Sequence, residues 1–228
     1  MRIELDFGAV LSQWPLLAKG AGLTLLLTAI SAVLGLLLGV ACAWARTRGP
    51  TWLRWLAASY VELIRNTPFI VQLFFVFFGL PALGVKLTPV LASAIAMVVN
   101  LGAYSAEIVR AGIEATPRGQ IEAAQSLALT PRQVFTRVVL PPALAKVWPA
   151  TVSQIIIVML GSAVCGQIAT EELSYAANLI QSRNFRAFEA YIVATAVYLL
   201  LAIVVRRVLN WAGPRWLFGG RPAGARHG

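Results

Sequence analysis

GQIEAAQSLALTPRQVFTRVVLPPAL, Gly119 to Leu144, is too polar to cross a bilayer and too patterned to be an unstructured linker. Ile121 to Leu129 is free of Gly and Pro and favours helix. Thr130 then stands where an N-cap belongs, with Pro131 at the first helical position and Gln133 three residues on, the pattern of a capping box. Pro141 and Pro142 are expected to stop the second helix, because a proline lacks the N–H that the ladder needs. The stretch therefore predicts two short helices with a defined corner.

Apolar runs flank it on both sides. Gly20 to Ala45, Asn66 to Val85, Leu87 to Ala106 and Val147 to Thr170 are each long enough for a hydrocarbon core of about 30 Å and uncharged. A fifth, Ala190 to Val205, extends back through Phe188 and Phe185, with Glu189 near the interface. Pro81, Gly84 and Pro89 mark a turn around Lys86, which separates the second and third runs. The first run is too long for a signal-peptide core and is read as retained. Glu171 to Phe185, EELSYAANLIQSRNF, carries Leu173, Ala176, Ala177 and Ile180 at helical spacing and predicts a short external helix. The expected fold is all-α and integral to a membrane. It has five transmembrane helices, and the two-helix loop lies between the third and fourth.

Basic residues give the orientation. Of the 19 Lys and Arg, all but Arg2, Lys19, Lys86, Arg183 and Arg186 fall on the side of the Gly119–Leu144 loop. Excess positive charge marks the cytoplasmic face, so the N-terminus is expected outside and the C-terminus in the cytoplasm. The organisation that follows is an external segment over 1–19, a transmembrane domain over 20–210 with its loop at about 111–146, and a cytoplasmic tail over 211–228 whose end reads as disordered.

Composition narrows the class. Of the 228 residues, 59% are hydrophobic and only 12% charged, about half the charged share of a soluble domain. The net charge of +10 would suggest nucleic acid in a soluble protein, but here it sits between apolar runs, and no nucleic-acid partner is expected. Cys42 and Cys165 lie inside apolar runs, without a CxxC or a nearby His, and give neither a disulfide framework nor a metal site. A single Asp and a single His, Asp6 and His227, both near the termini, leave a membrane-bound enzyme little to work with. No G-x-x-x-x-G-K-[ST] phosphate loop occurs.

The loop resembles that of the integral-membrane permease subunits of ABC importers. The family pattern is Glu-Ala-Ala, three residues, Gly, nine residues, Ile, any residue, Leu-Pro. Here it reads Glu122, Ala123, Ala124, then Ala128, then Val138, Val139, Leu140 and Pro141. Ala128 replaces a Gly, which bears on the corner between the helices because Ala enters the left-handed conformation less readily. YVELIRNTPFIVQLFF (Tyr60 to Phe75) and AYSAEIVRAGIEATPRGQ (Ala103 to Gln120) narrow the resemblance to the polar amino-acid permeases of the histidine/glutamine type. One block departs from that group: Leu160-Gly161-Ser162-Ala163-Val164 stands where Lys-Asp-Thr-Ser-Leu is usual, which leans toward a pair of two different chains.

The resemblance implies a bacterial inner-membrane subunit that forms a pathway and leaves ATP and Mg²⁺ to a separate cytoplasmic ATPase dimer. It also implies a second permease subunit, identical or paralogous, an external substrate-binding protein that lands near Glu171 to Phe185, and surrounding lipid. Glu122, Ala123, Ala124 and Ala128 would dock on the ATPase, with Gly119 as hinge and Leu140-Pro141 anchoring the return. The cargo would be a polar amino acid, or another small polar solute such as an opine or modified amino acid. A passive channel subunit would explain the spans but not the loop.

Polar groups in or near the spans have two readings each. Glu62 with Arg65 and Glu107 with Arg110 lie at i, i+3 spacing, as local ion pairs that set helix depth or as the lining of an inner mouth. Gln72, Asn100, Gln154 and Ser162 either line a cavity or bond helix to helix, and Tyr104 joins the pathway candidates. Gly35 and Gly39 form a GxxxG, read as close helix packing.

Overall fold

The computed structural model describes residues 5–217, which form helices joined by short turns and no strand among the described residues. Eight helices build the spans and the loop. They are α1 (Trp14–Arg48), α2 (Thr51–Arg65), α3 (Phe69–Ala82), α4 (Pro89–Glu114), α5 (Arg118–Ser126), α6 (Pro131–Ile168), α7 (Leu173–Asn184) and α8 (Ala187–Arg215). Of these, α1, α4, α6 and α8 are long and apolar enough to cross a membrane; α2 and α3 form a pair bent by 111° that gives a fifth when the two are taken as one span.

Within the apolar run Asn66–Val85 the helix is α3 alone, and it is bent sharply from α2 before it. At about 1.5 Å per residue α3 covers only about 21 Å, short of a hydrocarbon core. The bend falls at Asn66–Pro68, where proline bars the preceding residue from continuing the helix. Gln72 pins it: its Nε2 donates to the Ile64 carbonyl (2.7 Å), the Thr67 carbonyl (3.0 Å) and Thr67 Oγ1 (3.0 Å). Amphipathic α2, which the apolar runs did not announce, is held by its Tyr60 hydroxyl donating to the Val99 carbonyl of α4 at 2.6 Å. Gly84, at φ +86°, makes the expected turn, and Thr88 Oγ1 caps α4 by accepting from Leu91 N at 3.3 Å.

α1 packs most extensively against α4. Gly39 lies so close to Ser105 that a side chain there would collide, and Gly35 packs tightly on Leu101, which bears out the reading of the GxxxG as a contact surface. Ala92, Ala96, Ala103 and Ala106 keep α4 narrow, and it lies buried at the centre of the molecule.

Pro141 and Pro142 do not stop the helix. A π-helical stretch, Val134–Val139, precedes them, and the α-helix resumes at Leu140 and runs to Gly161. The wider turn changes the hydrogen-bond register just where the two proline N–H groups are missing, so the ladder passes them. Only the first loop helix is short; the second is the start of the fourth span. The last span likewise runs on through Ala212, where Trp148 Nε1 donates to the Leu209 carbonyl at 3.2 Å. The tail from Gly219 to Gly228, with His227, lies outside the described residues.

Candidate functional site

The loop keeps its corner despite Ala128. That residue takes φ +54°, in the left-handed region. Its N–H donates to the Gln125 carbonyl (2.9 Å) and that of Leu129 to the Ala124 carbonyl (3.3 Å), the paired bonds of a Schellman ending for α5. Holding an alanine there costs roughly 1 kcal/mol. Thr130 and Gln133 form the predicted capping box, with Gln133 N donating to Thr130 Oγ1 (3.4 Å) and Thr130 N to Gln133 Oε1 (2.8 Å).

α5 has two faces. Ala124 is buried against Val109, Ile113, Val134 and Val139 of its own chain. Gly119, Glu122 and Ala123 are exposed, and Leu127 stands 77% exposed beside them. A side chain at Gly119 would meet open space. Leu140 and Pro141 are half-buried where the chain returns.

Above the loop, Glu107 gathers three guanidinium groups. Arg46 of α1 donates to its Oε1, Arg110 to its Oε2 at 2.8 Å, and Arg65 of α2 stands 3.8 Å from Oε2. Arg110 also reaches Glu114 at 2.6 Å. The predicted Glu107–Arg110 pair is present. Arg65 turns away from Glu62 toward Glu107, and Glu62 accepts from Asn66 Nδ2 at 3.0 Å instead. Arg46, 61 residues away, could not be assigned by local spacing. The cluster locks α1, α2 and α4 together.

Beside this clamp is a cavity of about 360 Å³ between α3, α4 and α6. Asn100, Tyr104 and Gln154 line it, with Thr67, Phe69 and Gly161; no charged side chain does. Asn100 Nδ2 donates to Gln72 Oε1 at 3.0 Å, so Gln72 backs the wall from the bend. Arg65 lies 5.6 Å from the Tyr104 ring centroid, and Tyr104 is thus shared by clamp and cavity. Ser162 is elsewhere: buried, it donates to the Met159 carbonyl at 2.6 Å within its own helix. Gly161, in the block that departs from the amino-acid permeases, leaves the wall open where a longer side chain would fill space.

At the far end of α1 lies a site that sequence reasoning missed. Glu172 is fully buried. Its Oε2 accepts from the Tyr198 hydroxyl of α8 (2.5 Å), and its Oε1 from Tyr175 N (2.7 Å), capping α7. Leu173 N donates to Thr24 Oγ1 (3.3 Å), and Ser93 and Thr170 share a hydrogen bond at 2.8 Å. Burial pushes the Glu172 carboxyl above its ordinary value, opposed by the Tyr198 hydroxyl and by backbone N–H groups. The only sequence signal is an acid just before an amphipathic helix. The buried face of α7, with Leu173, Ala176, Ala177 and Ile180, is the one predicted.

Residues 35–217 match the family described as "Binding-protein-dependent transport system inner membrane component". The chain is 35% identical over 198 residues to the L-cystine transport system permease protein TcyB of Bacillus subtilis, covering 86% of this chain and 85% of that one. It is 31% identical over 210 residues to the glutamine transport system permease protein GlnP of Escherichia coli K12, covering 91% and 96%. A solved amino acid ABC transporter, crystallised with histidines, has a chain that superposes with a TM-score of 0.83 at 33% identity, over 93% of this chain and 100% of that one.

Proposed function

The chain belongs to the family of binding-protein-dependent transport system inner membrane components, and from that premise we propose that it forms half of the membrane pathway of an ATP-driven importer for a polar amino acid. Its loop end faces the cytoplasm and docks a separate ATPase dimer, which uses ATP and Mg²⁺. A second permease subunit completes the pathway, and a binding protein delivers substrate near α7. Transport then follows alternation between two states that ATP binding populates unequally.

The observation that carries this reading is the two-faced α5. Ala124 fixes the helix to its own span bundle, while Glu122, Ala123 and Gly119 remain exposed for a partner. Small side chains admit close approach and the carboxylate sets register. Docking falls to that exposed face, and Ala124 transmits its displacement inward. The uncharged cavity favours a neutral polar side chain such as an amide over a cationic one, because a buried cation needs a counter-charge that this lining lacks.

The test is uptake into proteoliposomes by the whole transporter, offered L-glutamine, L-cystine and L-arginine in competition. Glu122→Arg is expected to leave membrane insertion unchanged, strip the ATPase during purification and reduce uptake more than tenfold. Normal uptake by that variant would overturn the docking assignment. Preference for L-arginine would overturn the cargo reading, and a preference for none of the three would point to an opine or modified amino acid.

A further inference from the structure

A second concavity, of about 710 Å³, lies outside the pathway, between the last third of α1 and the beginning of α6. Its floor is apolar, with Leu37, Val40 and Ala41 of α1 facing Phe135 of α6. Arg48 and Arg132 stand at its rim, both exposed, and neither has a carboxylate within 4.0 Å among the described residues. Trp44 lies between floor and rim, as an interfacial indole does. From Leu37 to Arg48 the helix rises about 16 Å, close to the half-thickness of a hydrocarbon core.

Length, polarity and charge together select an occupant. We propose that this groove holds an anionic phospholipid of the leaflet next to the loop, its phosphate between Arg48 and Arg132 and an acyl chain along Leu37, Val40 and Phe135. The acidic surface of a soluble partner matches the rim but cannot follow the floor down to Leu37. A second copy of this chain placed face to face would bring arginine against arginine. Arg132 stands two residues past the Thr130 corner, so the bound lipid bridges the loop and α1. The proposal rests on the membrane setting alone and stands or falls independently of the cargo.

The experiment uses the full transporter, reconstituted in nanodiscs of dioleoyl phosphatidylcholine doped with dioleoyl phosphatidylglycerol, then extracted and analysed for retained lipid by native mass spectrometry. The wild type is expected to retain phosphatidylglycerol in preference to phosphatidylcholine. At about fivefold per arginine near a membrane surface, Arg48→Gln with Arg132→Gln should lower that preference about thirtyfold, and Arg206→Gln with Arg207→Gln on α8 should leave it unchanged. Ala41→Trp fills the floor without altering charge and should release the same lipid. Equal retention of the two lipids by the wild type, or an equal loss in both arginine pairs, would overturn the site in favour of unspecific surface charge. Loss of the ATPase from Arg48→Gln with Arg132→Gln, with lipid retention intact, would assign the rim to the protein partner and overturn it as well.

Discussion

Glu172 and Glu107 lie at opposite ends of α1, beside Gly20 and Arg46, 26 residues and about 39 Å of helix apart. Both are withdrawn from water and both tie several helices together, but by different physics. Glu107 is surrounded by three guanidinium groups, so its charge is compensated by charge. Glu172 has no cation within 4.0 Å among the described residues and is held by a hydroxyl and a backbone N–H at the start of a helix. The first arrangement sets a carboxylate among cations and punishes its removal, since three cations are left facing one another. The second sets burial, which disfavours the charge, against two hydrogen bonds that favour it, so its contribution depends on protonation.

Neutralising each carboxylate without changing its shape separates the two. Glu107→Gln should destabilise the detergent-solubilised protein by on the order of 2–3 kcal/mol, the cost of breaking a buried pair reduced for the 18% exposure of the side chain. Thermal unfolding of that variant beside Glu172→Gln checks this, and equal falls in Tm would erase the distinction. Truncation sharpens it. Glu172→Ala removes a cap and leaves the Tyr198 hydroxyl and the Tyr175 N–H without their acceptor, a loss of about 1–2 kcal/mol. It should appear as faster hydrogen exchange confined to α7, and uniform exchange across the molecule would contradict a local role.

The pH response has a definite sign. Burial raises the folded-state value of Glu172 above its ordinary 4.5, so the folded protein holds the proton more tightly than the unfolded chain does. Its contribution is fully present below the ordinary value and is lost as pH rises through the folded one. Protection of α7 amides, corrected for intrinsic exchange, should therefore fall as pH rises above 4.5, and Glu172→Gln should abolish the trend. The smallest effect belongs to the loop. Ala128→Gly relieves the left-handed strain but loosens the unfolded chain, for a net gain of up to about 1 kcal/mol. A lower Tm would mean that the strain at Ala128 is smaller than the unfolded-chain entropy that glycine adds.

Features governed by neighbours in sequence were legible before the structure. The Thr130–Gln133 box, the buried stripe of α7 and the turn at Gly84 all depend on residues within a few positions of one another. What escaped depends on distant partners. Arg54, Glu62 and Arg65 interrupt the apolar pattern of α2, and its anchorage through Tyr60 lies 39 residues away on α4. Arg46 and Tyr198 carry no local sign of the carboxylates they meet. Among the pathway candidates, Asn100, Tyr104 and Gln154 do share one cavity, but hydropathy could not distinguish them from Ser162, which bonds within its own helix. Pro141 and Pro142 misled for a different reason: the rule for proline assumes an α-helical ladder, and six residues of π-helix suspend it.

That suspension has a mechanical consequence. Because the chain does not break at Pro141, Thr130 at the loop corner and Ala169 beside the Glu172 cap bracket a single helical rod of 38 residues, about 57 Å at α-helical rise. A lever of that length amplifies small inputs. If the loop end is held and the rod tilts by about 5°, the other end sweeps about 5 Å, close to the full pitch of a helix. A partner that moves the corner thus has a continuous helical path to the opposite face, through the π-helical stretch and past Pro149.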